Sequence, residues 1–287
     1  MQRRKRTLRL SQLVSGSDFL RSNPADRVTE RVQALRITRE GSLTIGVDVV
    51  EEVPVTIFVN GKESVTLLTI ARELEPLAVG FLFSEGWLQE RSAIEEIRTE
   101  PDTGVVRVTL KKIPPLAERF VEKRLIVSSC GKATSFYNIL DSTLCRPVSS
   151  DFRVPSGRIL SWMNEMLRGA CLYRTTRGTH SVALYGETGR VHFEEDIGRH
   201  NAVDRILGKC VLDGTAVDKA VLLSTGRLSS EIVIKAARLG IPILVSRSAP
   251  TALALRLGGR LEMTLVGYVR GGSMNVYTHA RRIVVGD

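Results

Sequence analysis

Cys130 lies in the stretch RLIVSSCGKATSF, residues 124–136. Leu125 to Val127 read as the end of a buried strand, and Ser128 to Thr134 are small, polar or basic. The pattern predicts a thiol on a water-accessible loop, whereas most free cysteines are buried and behave as small hydrophobes. The thiolate is the nucleophilic form of cysteine, and a nearby cation lowers its pKa. Lys132 and the upstream Arg124 supply such cations, and Gly131 lets a reaction partner come close. The chemistry that fits is sulfur exchange at Cys130, with Lys132 stabilising the thiolate. A half-buried cysteine without chemistry fits the same residues.

A second constellation recurs after residue 190. A strand ends, a polar Gly/Ser/Arg loop follows, and a helix begins. One loop holds Gly198, Arg199, His200 and Asn201; another holds Ser224, Thr225, Gly226 and Arg227; a third holds Ser246, Arg247, Ser248, Pro250 and Thr251. A fourth stretch runs Tyr268, Val269, Arg270, Gly271, Gly272, Ser273, where two glycines let backbone approach a ligand. Open α/β sheets bind ligands outside the carboxyl ends of their strands, where helix N-termini offer free N–H groups to phosphate. Each loop alone also reads as a capped helix start. Together they predict a rim for a polyanion with polar rings, such as a nucleotide. None matches GxGxxG or GxxxxGK[ST].

His180 and His200 lie nearest these loops and suit hydrogen bonds that fix turns. Glu194, Glu195 and Asp196 suit a ribose, a metal or a solvated strand end. No HxxH, HExxH or paired-cysteine spacing supports a metal, and no GxSxG elbow supports a serine hydrolase.

These residues need elements to carry them. EEVPVTIFVNGKESVTLLTI reads as a hairpin, 53–59 and 63–70, turned by Asn60-Gly61, the strongest short hairpin signal. A helix follows with Leu74, Leu77, Ala78, Phe81 and Leu82 on one face. PDTG turns another hairpin, and PPLAERFVEKR reads as a short helix before the Cys130 loop. Residues 1–35 read as a weakly ordered basic tail and 36–140 as an α+β portion. Residues 141–157 read as a linker and 158–287 as an α/β unit. A helix begins near Ser156. Strand–helix alternation then runs through helix 199–209, strand 219–224, helix 229–239, strand 241–246, helix 250–257 and strand 262–269. This implies α/β layering with a partly parallel sheet.

The chain has 287 residues, a formal net charge of +10 and 5% aromatic residues. The charge favours anionic partners. The few aromatics and the lack of a basic-aromatic stripe weigh against nucleic acid. No apolar run is long enough to span a bilayer. The four cysteines, 130, 145, 171 and 210, form no CxxC pair, which points to a reducing, cytoplasmic setting. Cys145, Cys171 and Cys210 stand beside Leu or Val and read as structural.

RGTHSVALY…EEDIGRHNAVDRILG, LLSTGRLSSEIVIKAARLGIPILVSRSAPTALALRLG and MTLVGYVRGGSMNVYTHARRI closely resemble the formate dehydrogenase accessory proteins called FdhD. LEPLAVGFLFSEG and SSCGKAT resemble the same family, so the likeness spans roughly 40–284. It implies a sulfur carrier that takes sulfur from a cysteine desulfurase as a persulfide. The sulfur passes to the molybdenum bis-guanine-dinucleotide cofactor destined for the formate dehydrogenase catalytic subunit. It further implies a cytidine-deaminase-like α/β/α sandwich in the second half, without the zinc signature H-x-E…P-C-x-x-C. It places a GDP-like ligand at Tyr268 to Ser273 and suggests a homodimer.

The sequence departs from the family pattern SSCGxCGK in having only Ser128-Ser129-Cys130-Gly131-Lys132. Cys130 matches either family cysteine, depending on where the gap is placed. Three readings stay open: transfer through one thiol, recruitment of a second thiol in trans, or cofactor binding without transfer. Rivals from other classes are a basic nucleic-acid-binding protein and a nucleotide deaminase.

Overall fold

The computed structural model of the chain describes residues 28–113, 126–127 and 145–286. The chain opens on a hairpin, β1 (Thr29–Ile37) and β2 (Ser42–Val50), paired along its whole length. This corrects the expectation that the weakly ordered tail runs to residue 35. Apolar side chains alternate with polar ones through Val32, Ala34, Ile45 and Val47, which is the period of a strand.

The next strands are β3 (Val53–Val59), β4 (Lys62–Thr69), β5 (Ile94–Glu100), β6 (Val105–Leu110) and β7 (Ile126–Val127). They form one sheet in the order β5-β6-β3-β4-β7. Asn60 and Gly61 both take positive φ, 47° and 81°, as the Asn-Gly turn requires. Helix α1 (Leu74–Ser84) covers one face of this sheet, with Leu77 and Leu82 fully buried against Val55, Ile57 and Val106.

The second half holds β9 (His180–Gly186), β10 (Gly189–Asp196), β11 (Val221–Ser224), β12 (Ile243–Ser246), β13 (Thr264–Arg270) and β14 (Ser273–Val276). The sheet order is β10-β9-β11-β12-β13-β14. β11, β12 and β13 run parallel, and β9 is antiparallel to β11. Helices cover both faces. On one side α4 (Arg199–Asp213), α5 (Ser230–Leu239) and α6 (Ala252–Arg260) bury Leu222, Leu244 and Leu265. On the other, α2 (Ser156–Gly169) brings Ile159, Met163 and Met166 onto Val221, Leu223 and Val245. Burial on both faces explains why VLLS and ILVS are continuous apolar runs. A short helix, α3 (Cys171–Thr176), joins α2 to β9.

Part of the expected linker is packed rather than free. Val148 and Val154 are buried, and β8 (Val154–Pro155) pairs with β15 (Ile283–Val284). Arg282 is itself buried and donates to the carbonyls of Val148, Ser150 and Glu262. The turn-forming residues of 145–157 masked the two valines that anchor the segment.

The two halves meet where α1 crosses α4. A Cβ at Gly80 would overlap the Asp204 carbonyl oxygen, and one at Gly208 would overlap the Pro76 carbonyl oxygen. Glycine at both positions lets the helix backbones touch. Lys235 of α5 reaches Asp204 at 2.6 Å from both carboxylate oxygens, and Ser84 of α1 donates to the same carboxylate at 2.7 Å. Among the described residues no helix is long and apolar enough to cross a membrane.

Candidate functional site

The carboxyl ends of β11, β12 and β13 lie side by side, because the three strands are parallel and in register. β9 is antiparallel to β11, with Val182 opposite Ser224, so its amino end at His180 lies on the same rim. A cavity of about 520 Å³ opens there. Its walls come from Thr225, from Arg247, Ser248 and Ala249, and from Tyr268 and Arg270. The facing wall is Leu167 of α2, Tyr173 of α3, and Arg177, Gly178, Thr179 and His180 before β9.

Backbone geometry holds these walls together. Ser246 Oγ donates to the Gly226 carbonyl at 2.6 Å and accepts from the Ser248 N–H at 2.8 Å, which ties two loops to each other. Ser224 Oγ accepts from the Gly226 N–H at 3.0 Å. β13 is irregular between Gly267 and Arg270, and Tyr268 takes φ 55°, a conformation that non-glycine residues rarely adopt. The Tyr268 N–H is held by the Ser248 carbonyl at 3.1 Å. A Cβ at Gly267 would sit 2.9 Å from the Pro250 ring, so glycine is needed for the loop to lie against β13.

The cavity has three arginines, Arg177, Arg247 and Arg270, and no carboxylate on its walls. Two guanidinium groups rest over rings: Arg177 over Tyr173 at 5.2 Å and Arg270 over Tyr268 at 5.3 Å. Such stacking orients a guanidinium and leaves its N–H groups free for phosphate oxygens. His180 Nδ1 lies 3.5 Å from Thr225 Oγ1. Burial, then the positive charges of Arg199 and His200, hold the His180 pKa below the usual histidine value. The site therefore combines cationic forks, flat aromatic walls and a neutral imidazole. It can hold an anionic, ring-bearing ligand the size of a nucleotide.

Three of the four sequence-predicted loops thus reach one cavity. Ser224, Gly226 and Ser246 shape it from behind. Val269 faces the core, and Gly271, Gly272 and Ser273 form the exposed β13–β14 turn, with Ser273 Oγ donating to the Arg270 carbonyl. Arg227 is exposed outside the cavity. Arg199 packs beside Gly226, where a Cβ would stand 3.0 Å from its side chain. His200 Nε2 faces Glu231 at 2.8 Å. That contact, rather than the cavity, is where His200 acts, and it holds Glu231 below the usual carboxylate range.

The acidic cluster is not a solvated strand end. Asp196 is fully buried and ion-paired with Arg205, which is also fully buried and donates to Thr69 Oγ1 and the Ile70 carbonyl. Thr69 donates back to Asp196 at 2.5 Å. Glu194 pairs with Lys209 at 2.5 Å, and burial raises its pKa. Glu195 accepts the N–H groups of Leu172 and Tyr173, fixing the start of α3. Among the described residues no cluster suits a metal ion. Cys210 is buried, with its thiol pushed up to about 12, chiefly by burial, whereas Cys171 is exposed. Cys130, Lys132 and the expected helix over 114–124 lie outside the described residues.

Tyr173, Arg177 and Thr179 are the residues that sequence reasoning missed. They precede a strand, and the rule about carboxyl ends looks only past strands. The antiparallel β9 brings an amino end to the rim.

A sequence profile described as the FdhD/NarQ family matches residues 50–284. The chain belongs to this family. It is 38% identical over 234 residues to the sulfur carrier protein FdhD of Bacillus subtilis, covering 82% of this chain and 89% of that one. It is 39% identical over 238 residues to the sulfur carrier protein FdhD of Staphylococcus aureus strain MRSA252, with the same coverage. Among solved structures, a protein from Desulfotalea psychrophila described as a formate dehydrogenase accessory protein superposes with a TM-score of 0.75. It is 29% identical and is matched over 90% of this chain and 100% of its own.

Proposed function

We propose that the chain is a sulfur carrier for a formate dehydrogenase. It receives sulfur on Cys130 from a cysteine desulfurase and delivers it to a molybdenum bis-guanine-dinucleotide cofactor held as cargo. The observation that carries this reading is the cavity beneath Thr225, Arg247 and Arg270, cationic and free of carboxylates on its walls, in a chain of the FdhD/NarQ family. Arg177, Arg247 and Arg270 would meet the cargo's phosphates, and Tyr173 and Tyr268 would flank a guanine ring. The helices on both faces of the six-stranded sheet support the deaminase-like sandwich that the resemblance implies.

Topology supports a link between the sulfur and the cavity. β7 runs parallel to β4, with Val127 opposite Leu67. At the end of β4, Thr69 and Ile70 bond Asp196, which pairs with His180 of the cavity wall across β10 and β9. From Val127 the sequence reaches Cys130 in three residues, a span of at most about 11 Å.

In the loading step the Cys130 thiolate attacks the outer sulfur of the desulfurase persulfide. The donor's S–S bond breaks, its thiolate leaves, and an S–S bond forms on Cys130, so no electrons are needed. Unloading as sulfide needs two electrons. A second thiol supplies them by attacking the inner sulfur and forming a disulfide with Cys130. The segment 128–132 holds one cysteine, so that thiol comes from elsewhere. The same gap favours the second reading, a cofactor-binding protein without sulfur transfer.

Calorimetric titration with GDP tests the cavity. Arg270→Ala is expected to weaken binding about tenfold, the usual effect of losing one charge-assisted contact. An affinity unchanged by that substitution contradicts the assignment.

A further inference from the structure

A second depression adjoins the cavity across Leu167. It measures about 410 Å³ and is lined by Asn164, Leu167 and Arg168 of α2 and by Arg174 of α3. Leu167 also lines the first cavity, so one side chain stands between the two. The spacing i, i+3, i+4 puts Asn164, Leu167 and Arg168 on one face of α2. Leu167 is half-buried and packs on the core beneath the six-stranded sheet, which fixes this partition. Asn164, Arg168 and Arg174 are exposed. Arg174 donates through one guanidinium nitrogen to the Arg168 carbonyl at 3.1 Å. That contact steadies the fork and engages only part of its five N–H donors. Among the described residues neither depression has a carboxylate on its walls. Glu165 of α2 faces Arg190 at 3.7 Å instead.

We propose that the two depressions form one site for a polyanion longer than a nucleoside diphosphate, with Arg168 and Arg174 taking the phosphates farthest from the ring. The proposal rests on the cavity reading above and extends it. Arg177, Arg247 and Arg270 already match a diphosphate, and two of them are held over tyrosine rings. Arg168 and Arg174 add two more guanidinium groups beyond Leu167. Like charges gathered along one rim repel, and an anion lying among them relieves that repulsion. Arg168 stands in the last turn of α2, where a cation also suits the helix dipole. That role needs one charge and does not require a second arginine on the same depression. Guanidinium forks match phosphate oxygens in pairs, and the Asn164 amide offers both a donor and an acceptor to a sugar hydroxyl. The ligand class is therefore a nucleotide with a second phosphate-bearing arm, such as a dinucleoside polyphosphate.

Calorimetric titration of the full chain with GDP and with diguanosine tetraphosphate, at one salt concentration, tests the extension. The tetraphosphate is expected to bind roughly tenfold or more tightly than GDP, because its second arm engages the adjoining depression once the first is seated. The double variant Arg168→Ala, Arg174→Ala is expected to reduce that ratio to near one. The ratio is read within each protein, so a variant that misfolds loses both ligands and is told apart. Arg36→Ala, Arg98→Ala removes the same charge from the first half of the chain and is expected to keep the wild-type ratio. GDP binding with no advantage for the tetraphosphate overturns the extension and leaves the cavity standing. So does a ratio unchanged in the Arg168, Arg174 variant, or one lost equally in the Arg36, Arg98 variant. A wild type that binds neither ligand overturns the cavity reading and the extension with it.

Discussion

His180 stands between the cavity and the buried charges behind it. Its folded-state pKa is depressed by burial and by Arg199 and His200. A depressed value means the fold favours neutral imidazole, so the stabilisation is present above the ordinary histidine pKa of about 6.5. It is lost as the pH falls toward the folded value. Acidification from pH 7 to pH 5 should therefore destabilise the wild type relative to His180→Gln. Urea midpoints for both proteins across this range check it, and parallel pH profiles would show that His180 carries no such linkage. A neutral ring can accept or donate a hydrogen bond without adding a fixed charge, which under the proposed function would leave the arginines to neutralise the cargo's phosphates.

At the scale of elements, the crossing of α1 and α4 decides where the two sheets sit. Gly80→Ala or Gly208→Ala would force the helices apart, since each new Cβ meets backbone rather than a movable side chain. Either should destabilise the protein by about 3 kcal/mol or more. Gly259→Ala in α6, whose Cβ meets nothing, should change stability by no more than about 1 kcal/mol. Thermal melts of the three variants separate the cases, and similar melting points for all would contradict the close crossing. These glycines were silent in the sequence. Within LAVGFLF and RILGKC each reads as a helix weakness, and only the partner backbone shows its purpose. The strands and helices after residue 190 were legible, because VLLS and ILVS are apolar runs with Gly and Ser after them. The site was half legible. Loops after parallel strands announce themselves, whereas Arg177 and Tyr173 enter through an antiparallel neighbour whose position is set by pairing, not by local pattern. Asp196 and Arg205 are distant from Thr69 in the chain, so their buried joint was hidden behind an ordinary-looking acidic run.

Across the whole molecule, that joint links the two halves. β4 carries β7, and β7 leads to the cysteine; Asp196 leads through β10 and β9 to His180 and the cavity. Under the proposed function, in which the chain receives sulfur and holds a phosphate-bearing cargo, such a connection would keep the transfer short. The central claim is that Cys130 carries the sulfur. Its most direct test is mass spectrometry of the chain after incubation with a cysteine desulfurase and free cysteine. The peptide containing Cys130 should gain the mass of one sulfur atom, removable by a reducing thiol, and Cys130→Ala should gain none. A Cys130 peptide that stays unmodified while the desulfurase itself is loaded with persulfide would contradict the carrier function.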